Sequence, residues 1–131
     1  MQEGLRILVF IVPAFIISLL WVSLSGIYVY NRYNFWVGPL NITPVLMWTA
    51  GLTFVPMLAR KFSLKTMPRV AAMYWCGLIV VEYIGYYLLE IRRIAGDPGI
   101  FGSAIIHIPL FAYPFYILAG PFFYWLTQKY C

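Results

Sequence analysis

The chain has 131 residues, of which 63% are hydrophobic, 20% aromatic and only 10% charged, with a net charge of +5 and a mean hydropathy of +0.85. A soluble domain carries about 25% charged residues, so this chain has too few to cover a water-facing surface. The composition excludes an ordinary soluble domain, a disordered tail and a disulfide-rich secreted module, and it points to an integral membrane protein.

The charged residues divide the sequence. Residues 7–31 and 33–59 carry no charge, 70–89 is broken only by Glu82, and 98–128 is uncharged apart from the ionisable His107. A helix rising about 1.5 Å per residue needs about 20 residues to cross a hydrocarbon core of about 30 Å. Four spans are expected, near 5–28, 42–59, 70–91 and 105–126. A membrane β-barrel needs alternating polar and apolar positions, whereas stretches such as 7–12 and 78–81 are apolar throughout. The expected fold class is therefore an all-α integral membrane protein, a single four-transmembrane-helix bundle with Pro-kinked helices and short loops.

The first span is too long for a signal-peptide core and has no convincing cleavage site, so it is expected to be kept as an anchor. Gly38-Pro39 breaks the chain before span two, and Thr43-Pro44 reads as an N-cap followed by Pro at the first helical position. The sequon Asn41-Ile42-Thr43 lies too close to the bilayer to be a glycan site. The connection between spans two and three carries Arg60, Lys61, Lys65 and Arg69 and no acid. These four residues are expected to contact anionic lipid headgroups, each charge contributing about 1 kcal/mol near the surface. Orientation alone accounts for this basic cluster, so no nucleic-acid role is expected.

Span three holds the most informative residue. A charge at the bilayer centre costs about 2.5–3.5 kcal/mol on the mildest scale, so Glu82 should face protein or a water-filled cavity. Helical spacing brings Trp75, Ile79, Tyr86 and Leu89 near its face. Two readings follow: a proton-coupled or substrate-coordinating carboxylate, or a protonated acid bonded to a neighbouring helix. Thr49, Thr53, Tyr113 and Tyr116 are its candidate partners within the chain, and Trp75, Tyr83, Tyr86, Tyr113 and Tyr116 are the candidate ligand-lining residues. Asp97-Pro98-Gly99 turns the chain into span four. Glu90, Arg92, Arg93, Asp97 and His107 gather around that turn, with Glu90 able to pair with Arg93 or to meet His107. Were the protein an enzyme or a transporter, Glu82, Glu90 and His107 would carry the chemistry. The preferred reading of this second group is a solvated helix end.

Pro13, Pro56, Pro114 and Pro121 remove the donors for the carbonyls of Val9, Leu52, Leu110 and Ile117. Neighbouring helices must satisfy those carbonyls in lipid. Static kinks are the preferred reading and hinges the alternative. Gly26, Ala50, Gly51, Ala71, Ala72, Gly77, Gly85, Ala119 and Gly120 offer points of close helix contact. Four spans put Arg6, Arg60, Lys61, Lys65, Arg69 and Lys129 on one side and Arg32, Arg92 and Arg93 on the other. The positive-inside rule makes the first side, with both termini, cytoplasmic or its equivalent. Tyr28, Tyr30, Tyr33, Trp36, Tyr86 and Tyr87 are expected in the outer aromatic belt, and Tyr74, Trp75, Tyr124, Trp125 and Tyr130 in the inner one.

One His cannot supply two axial haem ligands. Cys76 and Cys131 lack a CxxC partner, and no nucleotide-binding or nucleophile-elbow motif is present. No metal or cofactor is implied. The expected function is a non-catalytic structural or accessory subunit of a larger membrane complex, with other membrane subunits or a second copy as partner. The alternatives are a small proton-coupled transporter working as an oligomer through Glu82, and a membrane-embedded enzyme acting on a lipid or isoprenoid.

Overall fold

The structure, a computed structural model, describes residues 2–92 and 108–130. Helix α1 (Glu3–Ser25) is followed by a small antiparallel hairpin, β1 (Trp36–Val37) and β2 (Leu40–Asn41), and by α2 (Ile42–Lys61). Helix α3 (Met67–Tyr83) continues into a π-helical turn (Ile84–Leu88). A 3-10 turn (Leu110–Ala112) leads into α4 (Tyr113–Tyr130). Among the described residues, four helical runs are long and apolar enough to cross a membrane: Glu3–Ser25, Ile42–Lys61, Met67–Leu88 and Leu110–Lys129.

The runs follow the expected spans with three differences. The third span leaves α-helical geometry at Ile84 and ends at Leu88. The expected first residues of span four, 105–107, lie outside the described residues, and α4 extends to Tyr130. The connection at 26–41 is not a bare short loop. Gly26 ends α1 in the left-handed region (φ 64°), where glycine has no Cβ penalty, so its role is a helix stop and not a helix contact. Gly38 (φ 58°) then turns the hairpin, which pairs Trp36 with Asn41 and Val37 with Leu40.

Burial on α1 follows a four-residue ridge, Phe10, Ala14, Ser18 and Val22. This spacing keeps successive side chains on one helix face, and that face packs on α2. Ser18 donates its hydroxyl to the Ala14 carbonyl (2.7 Å), which removes a polar group from the contact. At mid-height Ala14 meets Leu52, Ala119 and Phe123. Toward the basic end, Val55 and Ala59 of α2 meet Val70 and Tyr74 of α3. Arg60 lies over the Phe10 ring (4.9 Å), and the Tyr124 hydroxyl donates to the Leu64 carbonyl (3.4 Å). The start of α1, the 62–66 connection and the end of α4 therefore share one end of the molecule.

Asparagine side chains knit the opposite end. Buried Asn41 donates to the Tyr28 carbonyl (3.1 Å) and to Asn34 Oδ1 (2.8 Å), and accepts from the Phe35 N–H (3.1 Å). Thr43 is not the α2 cap, as its hydroxyl donates to the Tyr33 carbonyl (2.6 Å) and the helix begins one residue earlier. Pro44 is consequently a third helical residue, still within the turn where its missing N–H costs nothing. Asn31 bonds across the chain to the Glu90 carbonyl (3.0 Å) and to the Arg92 N–H (2.9 Å), and its own N–H donates to the Arg92 carbonyl (2.8 Å). This clamp fixes the end of the third span to the first connection.

Candidate functional site: a lateral cleft between two helices

Helices α2 and α3 pack closely only near their connection, through Val55, Ala59, Val70 and Tyr74. Beyond that cluster an open cavity of about 330 Å³ separates them. Its α2 wall carries Met47, Gly51, Phe54 and Leu58, and its opposite wall Met73, Gly77, Val81 and Glu82 of α3 with Gly85 of the π-helical turn. These positions recur at three- and four-residue spacing, so each wall is one helix face. Gly51, Gly77 and Gly85 were expected to allow close helix approach. A Cβ at any of them would meet nothing within 4 Å, because these glycines open the cleft where a contact would close it.

A hydrogen-bonded aromatic knot backs the cleft. The indole N–H groups of Trp21 (2.7 Å) and Trp48 (2.9 Å) both donate to the Tyr28 hydroxyl. With two donors directed at its oxygen, Tyr28 gives its own proton to the Tyr116 hydroxyl, 2.9 Å away. Phe115 stacks on Trp21 (4.1 Å between centroids, 8° between planes), and Trp48 meets Phe115 and Tyr116 edge-on (4.9 Å each). Tyr28 and Tyr30 are buried and are not belt residues; Tyr74 is buried as well. The Tyr74 hydroxyl donates to the Tyr116 carbonyl (2.8 Å), and its ring occupies the space that a Cβ on Gly120 would take. Gly120 is thus a close-contact glycine, as expected.

The polar demands of α4 are met from α3. Pro121 leaves the Ile117 carbonyl without its helical donor, and the Trp75 indole N–H supplies one at 2.9 Å. Pro114 makes no break, because it lies at the second position of α4, after the 3-10 turn. Within α2, the Thr49 and Thr53 hydroxyls donate to the carbonyls of Val45 and Thr49 (2.7 Å each). Their protons are committed to their own helix and are not offered to Glu82.

The expected lining residues separate into groups. Glu82, Tyr86 and Tyr116 line the cleft. Trp75, Tyr113 and Tyr116 line a second, wholly apolar hollow of about 290 Å³ with Leu78, Ile79, Ile108 and Ile117. Tyr83 lines neither; it is exposed and lies against Tyr87 (5.3 Å). Glu90 is exposed in the left-handed region (φ 52°), with its carboxylate 3.8 Å from Arg32. Its expected partners Arg93 and His107 lie outside the described residues, as do Asp97 and Cys131. Arg92 lies over the ring of Tyr86 (4.7 Å), which lines the cleft. Arg60, Lys61, Lys65 and Arg69 are all exposed at the far end.

Trp21 and Trp48 were not singled out from the sequence. A signal for them exists, since a tryptophan several residues inside an apolar span needs an acceptor for its N–H. Among the described residues, no group of three or more His, Cys, Asp or Glu is placed to hold a metal ion. No protein-family model, curated protein or solved structure matches this chain.

Proposed function

We propose that this is a multi-pass membrane protein that serves as a non-catalytic accessory subunit of a larger membrane complex, with the α2–α3 cleft as its receiving surface. The cleft carries the reading: it is an open apolar space kept wide by glycine, backed by aromatic residues whose polar atoms are already used to tie helices together. Such a surface fits reception of an apolar guest.

Membrane placement is supported by the outer face of α1. Leu8, Val12, Ile16, Leu20 and Leu24 form a second four-residue ridge and are each more than half exposed. Hiding one such side chain from water is worth about 1.5–3 kcal/mol. The ridge together rivals the whole net stability of a domain, about 5–15 kcal/mol, so hydrocarbon or another apolar helix is its medium. The kinks at Pro13, Pro56 and Pro121 are static in this reading, and the Trp75–Ile117 bond supports that for Pro121. The six basic residues at the end with both termini put that end on the cytoplasmic or equivalent side. There Arg60, Lys61, Lys65 and Arg69 meet anionic headgroups. Partners are other membrane subunits or a second copy, and not nucleic acid.

Glu82 on the cleft wall favours a second reading, a proton-coupled transporter acting as an oligomer. Purification of the full chain in mild detergent with mass determination tests the first. Recovery with larger chains at fixed stoichiometry, unchanged in Glu82→Gln, is the expected result. A self-associated species whose transport collapses in Glu82→Gln while assembly persists would establish the second.

A further inference from the structure

We infer that the α2–α3 cleft receives helix α1 of a second copy of this chain, with Ile16 seated between Gly51 and Gly77. This assignment rests on the reading of the cleft as a receiving surface and names the guest.

Volume sets the kind of contact. A cavity of about 150 Å³ takes one benzene-sized group, so the cavity of about 330 Å³ takes two branched side chains. A whole helix, about 10–12 Å across with its side chains, stays outside and inserts only knobs from one face. A Cβ added at Gly51 or Gly77 would meet nothing within 4 Å, so these glycines leave the space that such knobs need. Helices in a bilayer associate by close packing at small residues, because lipid gives no hydrophobic drive. Glycine weakens a helix, and within one copy no neighbour uses the space these two leave.

Helix α1 carries the matching ridge. Val12, Ile16 and Leu20 are each more than half exposed. They stand two residues, about 200° around the helix, from the buried face that packs on α2.

Depth brings ridge and glycines together, since copies in one bilayer share orientation and level. Helices α1 and α3 both run from the basic end toward the hairpin end. Ala14 clusters with Leu52 of α2 and Ala119 of α4, and the Tyr74 ring lies against Gly120. Ala14, Leu52 and Tyr74 therefore stand within about one helical turn of a common level. Counted toward the hairpin end at about 1.5 Å per residue, Ile16 lies about 3 Å and Gly77 about 4.5 Å beyond that level, and Leu20 about 9 Å and Val81 about 10.5 Å. Gly51 adjoins Leu52 and lines the cleft from α2 at the same height. The four-residue ridge of one copy thus meets a four-residue groove in the other. None of the polar lining groups takes part in the contact. Every copy carries both ridge and groove, so two copies exchange α1 contacts or several close a ring.

Full-length copies with Cys76 and Cys131 replaced by Ala, distinguished by tag, are expressed in pairs in one membrane and oxidised with copper phenanthroline. One copy carries Ile16→Cys and the other Gly77→Cys. Leu118→Cys replaces Gly77→Cys as the collision control, being exposed on α4 two residues from Gly120 and so at the depth of Ile16. The expected result is a mixed disulfide-linked dimer about tenfold or more above the control, and a loss of about tenfold or more in capture of one tagged copy by the other when both carry Gly77→Leu. Thermal unfolding checks that the leucine variant folds, and if it does not the cysteine pair alone decides. Cross-linking no stronger than the control, or undiminished capture by folded Gly77→Leu copies, overturns the inference. If the cross-link is absent and Gly77→Leu instead sheds a different co-purifying chain, the guest is a foreign helix. The second-copy assignment then falls and the accessory-subunit reading stands. A specific cross-link in a chain that never co-purifies with larger chains upholds the assignment and overturns the accessory-subunit reading.

Discussion

Tyr28 belongs to a connection, yet its hydroxyl joins the ends of α1 and α2 to α4 through Trp21, Trp48 and Tyr116. Removing that oxygen takes the shared acceptor from two indole donors and one bond from the Tyr116 phenol. Tyr28→Phe is therefore expected to cost about 3 kcal/mol, against about 1 kcal/mol for Tyr116→Phe, where one bond is lost. Unfolding in detergent followed by circular dichroism checks the ranking, and equal costs would remove Tyr28 from the centre of the knot. A second test concerns Trp75 and the carbonyl that Pro121 frees. Trp75→Phe should destabilise by about 1–2 kcal/mol alone, and by clearly less in the Pro121→Ala background, where the helix supplies its own donor to Ile117. Additive effects would show that the indole is not a substitute for the missing bond. The need for such a donor was legible from Pro121 in the sequence. Its source was not, since no local spacing links residues 75 and 117.

At the scale of elements, glycine acts in two opposed ways that sequence alone does not separate. Gly120 admits the Tyr74 ring between α3 and α4, whereas Gly77 faces open space. Gly120→Val should lose about 2–3 kcal/mol through overpacking, while Gly77→Ala should be neutral or stabilising by up to about 1 kcal/mol. Paired thermal melts decide this, and a destabilised Gly77→Ala would mean the cleft wall is a packing surface. The helices themselves were readable because charge-free runs of membrane length leave few other folds. The hairpin at 36–41 and the π-helical turn at 84–88 were not. Each depends on partners distant in sequence: Asn41 reaches back to Tyr28, and Asn31 holds the chain just beyond the turn, at Glu90 and Arg92. Glu82 stood out as the acid needing shelter, and it lies on the cleft wall. That α2 would form the opposite wall could not be read, because antiparallel neighbours usually pack along their full length.

For the whole molecule, the account depends on four crossings that place the 26–41 and 62–66 connections on opposite sides of a membrane. The charge pattern along the chain predicts this, with Arg60, Lys61, Lys65 and Arg69 at one end and the asparagine-knit hairpin at the other. The exposed apolar ridge of α1 requires a medium that only a bilayer or a partner helix provides. The most direct measurement is labelling of single cysteines by a membrane-impermeant maleimide in intact cells, with Cys76 and Cys131 replaced by Ala. The account predicts that Val37→Cys is labelled from outside, and that Ser63→Cys is labelled only after the membrane is permeabilised. Labelling of both positions in intact cells, or of Ile16→Cys by the aqueous reagent, would contradict it.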